Sequence, residues 1–329
     1  LNARAFRKSL LAWYASGHRD LPWRNTRDPY RIWLSEIMLQ QTRAAAAIPY
    51  YEQFLRLFPN VESLARAPEN EVLAAWSGLG YYSRARNLRR AALTIAQKGA
   101  FPPTFDGIRA LPGVGPYTAA AVASIAFGLP HAVLDGNVMR VIARLEADGT
   151  DIGSAAARAR FQQIAQDLLD PAEPATFNQA MMELGATVCL PRDPLCLVCP
   201  VAAHCEARAL GRQAEFPVKL RKAVPIDETL ELVVVRRGPA VLMQQREASA
   251  RRMADFWELP SLKDLPDAAD VRLVSEFRHS IVNHRYSVSV FSGTASKGAR
   301  MAWVVPQEDS QRPMTTITRK ALACAETAR

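Results

Sequence analysis

Residues 111–128 read LPGVGPYTAAAVASIAFG. Two glycines two apart let the backbone turn tightly, and a helix over 116–127 is expected to begin straight after. Backbone N–H groups of Gly113, Val114 and Gly115, at such a turn and helix start, can cradle a phosphate without reading base sequence. An ordinary helix–turn–helix corner looks the same, and G-x-G alone does not exclude it.

Outward from this stretch, residues 1–210 share a helical texture. Apolar positions recur at three- and four-residue spacing over 2–16, 30–42, 44–58, 61–66, 69–77, 81–98, 105–110, 137–147, 154–169 and 175–188. Pro and Gly punctuate them at LPWR, FPN, SGLG, KGAFPP and FGLP,. The texture then changes. EFPVKLRKAVPIDE is charged, carries prolines and has no steady period, so it reads as an interdomain linker,. Beyond it TLELVVVRR, PAVLMQQRE, VRLVSEFRHS, YSVSVFSG and ARMAWVVPQ read as strands, with a last helix over 316–327,. A multidomain chain is expected: an all-α region over 1–208, a linker over 209–226 and a small α+β domain over 227–329.

Composition narrows the class. The 329 residues suffice for two domains, and an apolar content of 49% can fill a core in each,. No apolar run approaches the ~18–20 residues of a membrane helix. The opening LNARAFRKSL lacks a signal-peptide core,. A soluble, cytoplasmic monomer with no membrane partner is expected. The formal net charge of +9 suits a polyanionic partner,. In YYSRARNLRR, Arg84, Arg86, Arg89 and Arg90 follow two aromatics. They read either as a solvated helix face or as a phosphate-contact strip beside an aromatic wedge.

Cys189, Cys196, Cys199 and Cys205 form the run C-x6-C-x2-C-x5-C. Four thiolates at this spacing can converge on one metal centre, and an all-thiolate set suits zinc or an iron–sulfur cluster. Zinc ribbons usually pair two short CxxC knuckles. One CxxC flanked by wider gaps favours a single [4Fe–4S] cluster. Disulfides are the bland alternative, disfavoured by the intracellular look of the rest. Cys324 stands far off as a free thiol.

Two carboxylates stand out. Glu36 lies in RIWLSEIMLQQT with Ile32, Trp33 and Leu39 as helical neighbours. Desolvation on that face should raise its pKa and suit it to general-acid work near neutrality; otherwise it is a rim glutamate reaching solvent. Asp135, in HAVLDGNVMRVIARL, sits between an apolar stretch and a new helix. It or Asn137 reads as the helix N-cap, and a carboxylate there tends to stay ionised.

The turn at 111–115 with its small-residue helix resembles a helix-hairpin-helix DNA-binding motif. LPWRNTRDPYRIWLSEIMLQQT, GLGYYSRARNL, LPGVGPYTAAAV, LDGNVMRV, FNQAMMELGA and the cysteine run, spanning residues 21–205, resemble the MutY-type adenine glycosylases in order and spacing. The likeness implies a helix-hairpin-helix subdomain over about 25–135 and an iron–sulfur subdomain built from the N-terminal helix and about 136–208. The C-terminal domain resembles, more loosely and best at DFWELP, a Nudix-like lesion-reading domain. The implied substrate is adenine opposite 8-oxoguanine or guanine in double-stranded DNA, flipped into a pocket. Glu36 matches the general acid that protonates adenine N7 and later activates water. Asp135 matches the carboxylate that stabilises the oxocarbenium-like sugar through a transient adduct, a two-carboxylate logic akin to retaining glycoside hydrolysis. Tyr117 and Asn137 match residues orienting Asp135 and the sugar. Trp23, Arg24, Leu39, Gln41 and Gln179 match residues around the adenine, although Leu39 reads equally as plain core. Gln41 and Thr42 match residues near the opposite base, and Tyr81 an aromatic wedge. The cysteines match [4Fe–4S] ligands on a loop presenting Arg192 and Arg208 to DNA, with a structural or redox role.

Two departures matter. Pro116 and Tyr117 follow LPGVG where strand-cleaving relatives of the endonuclease III type carry a lysine. A monofunctional enzyme with little or no lyase activity follows. Family members commonly read the lesion with a Phe-Ser-His loop; this chain has FRHSIVNHRYSVSV, with His279 and His284. Asn283 or His284 can take over the role, unless the loop only packs locally. No Nudix box follows WELP, so pyrophosphatase activity is not expected. The rival readings are a mismatch thymine or uracil glycosylase, a non-catalytic DNA-bound iron–sulfur protein, and a nucleotide-pool hydrolase.

Overall fold

A computed structural model describes residues 2–220, 224–247, 250, 253, 255–281, 283–306 and 312–327. Residues 221–223 of the expected linker and Gln307 of the last strand block lie outside them. The chain divides into two compact units, one of residues 1–66 and 87–222, the other of residues 67–86 and 223–329.

The first unit is helical: α1 Ala3–Ser16, α2 Pro29–Leu39, α3 Ala44–Leu57 and α4 Val61–Arg66. After α5 (Glu69–Ala75), which belongs to the other unit, α6 (Ser83–Lys98) leads back. Then come α7 Phe105–Arg109, α8 Pro116–Phe127, α9 Gly136–Leu145, α10 Ala155–Leu168, α11 Pro174–Thr187 and the short α12 Glu206–Ala209. The helix α2 starts where Asp28 accepts the Tyr30 N–H at 2.8 Å and Pro29 presets the first turn,. It is buried on nearly every side from Tyr30 to Met38, so it is a core helix and carries Glu36 inside with it,. Ile32, Trp33 and Leu34 are at most 1% exposed, and burial of Ile32 and Leu34 stabilises the unit by about 1.5–3 kcal/mol each,. The helix ends at Leu39, earlier than expected. Gln41 has φ +60°, which turns the chain and leaves Gln41 and Thr42 in the bend before α3,.

The α7–α8 hairpin needs a glycine at 113 twice over. Its φ is +75°, and a Cβ there would meet the Asn87 Cβ at 2.6 Å,. Pro116 opens α8, whose residues from Thr118 to Ile125 are buried, and Gly128 ends it in a left-handed cap,. Close packing recurs where α11 crosses α9: a Cβ on Gly185 would stand 2.6 Å from that of Asn137.

In the second unit β1 (Ile226–Arg237), β2 (Ala240–Gln245), β3 (Trp257–Glu258), β4 (Ala269–Ile281), β5 (His284–Thr294) and β6 (Met301–Val304) form one sheet. Its order is β3-β2-β1-β5-β4, with β6 also on β2. The β1–β5 pair is parallel; β4–β5 and β1–β2 are antiparallel. Successive β1 residues alternate between faces. Leu232 and Val234 pack with α13 (Thr316–Thr327) at Ala321 and Leu322; Val233 and Val235 pack with Leu242, Leu265 and Met301,. The strand β1 begins inside the stretch that reads as linker, because β5 supplies a ladder partner from Ile226 onward and Arg285 pairs with Asp227 at 2.7 Å. Among the described residues, no helix is long and apolar enough to cross a membrane.

Candidate active site

A cavity of about 1050 Å³ opens in the first unit, lined by α2, the bend after it, and the starts of α8 and α9 together with α11. It gathers Glu36, Tyr117, Asp135, Asn137, Trp23, Arg24, Leu39, Gln41, Thr42 and Gln179. Leu39 is half-buried and faces this space, so it is not plain core.

Glu36 is 4% exposed, and its Oε2 accepts the Tyr117 O–H at 2.7 Å. Burial pushes its carboxyl up to about 7; the Tyr117 bond opposes this and the charge of Asp135 adds to it,. Burial and the neighbouring carboxylates drive the Tyr117 phenol well above its ordinary value, so it remains a donor. The resemblance gave Tyr117, with Asn137, the task of orienting Asp135 and the sugar. In the structure its hydroxyl hydrogen-bonds Glu36 and lies 3.3 Å from Met182 Sδ.

Asp135 caps α9. Its Oδ1 accepts the Val138 N–H at 2.7 Å and its Oδ2 accepts Asn137 Nδ2 at 3.1 Å. The helix start favours its ionised form, as expected, but burial works against it,. Burial outweighs those bonds, and its pKa is raised,. Bonds from Val138 and Asn137 and the charge of Arg140 favour the ionised form at Asp135, while one phenol bond and the charge of Arg24 do so at Glu36.

Sequence reasoning missed the supports behind these groups. Arg140 Nη2 donates to Asn137 Oδ1 at 2.9 Å and to the Gly185 carbonyl at 2.7 Å, while its Nε donates to the Cys189 carbonyl at 2.8 Å. One turn on, Arg144 Nη1 reaches the Leu190 carbonyl at 2.6 Å and lies 3.2 Å from Cys189 Sγ. The cysteine loop is thereby tied to the cap of α9. Two arginines four apart on an otherwise apolar helix were the available signal. Glu183 was missed too. It is 2% exposed at its side chain and binds Arg24 at 2.7 Å and Arg19 at 2.6 Å. Burial pushes its carboxyl up, but the two guanidinium groups more than offset this and hold it at about 2. Arg24 is thus fixed at the cavity wall. Tyr14 donates to Gln179 Oε1 at 2.9 Å and orders that amide.

In the hairpin, the Val114 N–H is already engaged by the Leu111 carbonyl at 3.1 Å, and Gly115 caps α8. The four cysteines of the run are half-buried free thiols. Burial, with the like-charged neighbours Cys189, Cys205 and Cys196, pushes Cys199 up to about 11. Among the described residues, no group of three or more His, Cys, Asp or Glu side chains is placed to hold a metal ion. Arg192 and Arg208 are exposed.

Tyr81, Asn283 and His284 belong to the second unit. Asn283 Nδ2 donates to the Val224 carbonyl at 3.3 Å; His284 Nδ1 meets Glu228, and its ring stacks on Tyr286. Of the four arginines in the basic run, Arg84 and Arg86 have partners within the chain, while Arg89 is half-buried and Arg90 exposed. Arg84 is buried beneath Trp76 and Tyr81, and Arg86 pairs with Glu69 at 2.9 Å.

Residues 34–167 match the family described as HhH-GPD superfamily base excision DNA repair protein. The chain is 48% identical to the human adenine DNA glycosylase over 78% of its own length and 57% of that protein's. It is 34% identical to the adenine DNA glycosylase of Buchnera aphidicola subsp. Schizaphis graminum, covering 70% of this chain and 67% of that one. It spans 60% of the mouse relative and 64% of the rat relative. Among solved structures, a thermostable thymine-DNA glycosylase superposes with a TM-score of 0.56 at 30% identity over 63% of this chain and 97% of that one. A non-covalent endonuclease III–DNA complex gives 0.54 at 21% identity over 64% and 98%, a likeness of fold. The chain belongs to the MutY-type adenine glycosylases of the HhH-GPD superfamily.

Proposed function

We propose that the chain is a monofunctional DNA glycosylase that removes adenine paired with 8-oxoguanine or guanine in duplex DNA. One observation carries the reading: two carboxyl groups of different surroundings share a cavity large enough for a nucleoside, one buried and brought to about 7,. With adenine flipped into that cavity, the neutral Glu36 carboxyl donates its proton to N7. The C1′–N9 bond breaks, its electron pair leaves with the protonated base, and positive charge develops on the sugar. The Asp135 carboxylate, held by Val138 and Asn137, stabilises that charge and bonds to C1′. The Glu36 carboxylate then takes a proton from water, whose oxygen displaces Asp135 and leaves an abasic sugar. Tyr117 keeps the Glu36 carboxyl oriented between its two protonation states. With Pro116 and Tyr117 after the hairpin, this turn offers no amine to form an imine, so strand cleavage is not expected.

The remaining assignments support this reading. Trp23, Arg24, Leu39, Gln41, Thr42 and Gln179 line the adenine site, Tyr81 wedges the duplex, and the hairpin holds backbone phosphate at Gly113 and Gly115 rather than at Val114. Residues 227–329 act as a Nudix-like lesion reader through Asn283 or His284. The cysteine donors suit a [4Fe–4S] cluster in kind: all are thiols, half-buried and mutually interacting, and the Arg144 guanidinium hydrogen-bonds Cys189 Sγ,. When bound, such a group cross-links the loop and can exchange an electron; base removal does not run through it.

Glu36→Gln tests the assignment. Single-turnover release of adenine should fall by about 10²–10⁴ with duplex binding retained; unimpaired release would remove Glu36 from the mechanism. Thymine excision is the second reading, favoured by the likeness to the thymine-DNA glycosylase. Thymine has no N7, so a guanine–thymine duplex in the same assay separates the two.

A further inference from the structure

Residues 76–86 hold an arrangement that the excision chemistry leaves unused. Tyr81 is 40% exposed, and its φ of +48° puts a non-glycine residue in the left-handed region,. Such a conformation persists where its surroundings over-determine it. The buried Arg84 guanidinium lies 5.4 Å from the ring centres of both Tyr81 and Trp76. Its Nη2 donates to the Leu79 carbonyl at 3.1 Å and the Gly80 carbonyl at 3.2 Å, and the Trp76 indole also donates to Gly80, at 3.1 Å. Consecutive carbonyls just before Tyr81 are thereby fixed.

The anchor for this turn is C-terminal. Tyr82 is 4% exposed and its ring centre lies 4.1 Å from that of the fully buried Phe256. Arg319 of α13 hydrogen-bonds Ser77 Oγ, which lies 3.4 Å from the Tyr82 hydroxyl. Arg86 stands 3.6 Å from Asp255. These contacts make residues 67–86 part of the sheet-bearing unit, although most of the other helices belong to the first.

We propose that Phe256 and Arg319 are positioning residues for Tyr81: the C-terminal part of the chain holds residues 76–82 in the shape that offers this ring to a nucleic-acid base stack. An exposed aromatic face backed by a guanidinium is suited to stacking on a base. The inference rests on the reading that Tyr81 enters the duplex during adenine removal.

The test uses the full iron-loaded chain and a duplex with 2-aminopurine beside an adenine–8-oxoguanine pair, whose fluorescence rises when it unstacks. Tyr81→Ala, Phe256→Leu and Arg319→Ala are compared singly, and the last two also combined with Tyr81→Ala. At saturating protein, Tyr81→Ala and Phe256→Leu should each reduce the fluorescence rise and weaken preference for mispaired over matched duplex by about tenfold, and the double variant should lose no more than Tyr81→Ala alone. Losses that add, or an unchanged signal from folded Phe256→Leu, would overturn the proposal. If thermal melting shows Phe256→Leu to be unfolded, the exposed Arg319→Ala decides by the same criterion. Fluorescence coupling without adenine release would count against the excision reading alone. Adenine release without coupling would count against this inference alone.

Discussion

Glu36→Gln should make the protein inactive and, above neutral pH, more stable. Burial lifts the Glu36 carboxyl from 4.5 to about 7 in the folded chain. Between those values the native state holds a proton that the unfolded state releases, so stability falls as pH rises through this window. At 1.36 kcal/mol per tenfold change in proton affinity, the rise corresponds to about 3 kcal/mol, an upper figure that local relaxation around the charge reduces. Glutamine keeps the shape of the neutral acid and cannot ionise. Wild type and variant should therefore unfold at similar urea concentrations near pH 4, and diverge until the variant leads by up to about 3 kcal/mol at pH 8. Tryptophan fluorescence in urea at several pH values, in the full chain, reads this directly. A difference that does not change with pH, or a variant weaker than wild type at pH 8, would refute the raised pKa and the general-acid reasoning built on it.

Asp135→Asn should cut single-turnover adenine release by at least about a hundredfold while leaving the α9 cap largely intact, because an amide oxygen still accepts the Val138 N–H,. Gly185→Ala places a methyl 2.6 Å from the Asn137 Cβ; overpacking of this kind costs about 1–3 kcal/mol, and lost release should accompany the lowered melting temperature,. Gly113→Ala combines φ +75° with a clash at Asn87, so duplex affinity should drop while the carboxylate site is spared; an unchanged affinity would remove the hairpin from DNA binding,. Iron and sulfide analysis should find four irons per chain in wild type and loss of the cluster in Cys199→Ser, as the all-thiol donor set requires.

The elements most legible in the sequence were those whose causes are local. Pro116 and Gly128 bracket α8, and Asp135 announces α9 by capping it. For Glu36 the sequence left burial and a rim position equally open, and the packing of α2 on almost every side decides for burial. What escaped depends on partners distant along the chain. Ile226 begins a strand only because β5 lies beside it, which no local composition signals. Arg84 sits in a basic run, yet it is buried, since Trp76 and the carbonyls of Leu79 and Gly80 close around it. Tyr117 was expected at Asp135, but its hydroxyl meets Glu36, because the α2–α8 packing sets that distance. The direction of the Asp135 pKa followed from cavity burial, which outweighed a helix-start effect that sequence does reveal. Arg140 and Glu183 read as ordinary charges until their buried partners come into view.

The most direct test is single-turnover release of adenine by the iron-loaded wild-type chain, from a duplex carrying adenine opposite 8-oxoguanine, across about pH 5 to 9. Free adenine should appear with the strand left uncut, and the rate should fall as pH rises through about 7, where Glu36 loses its proton. A rate that stays flat across that range, or bound duplex that never yields adenine, would contradict the two-carboxyl assignment.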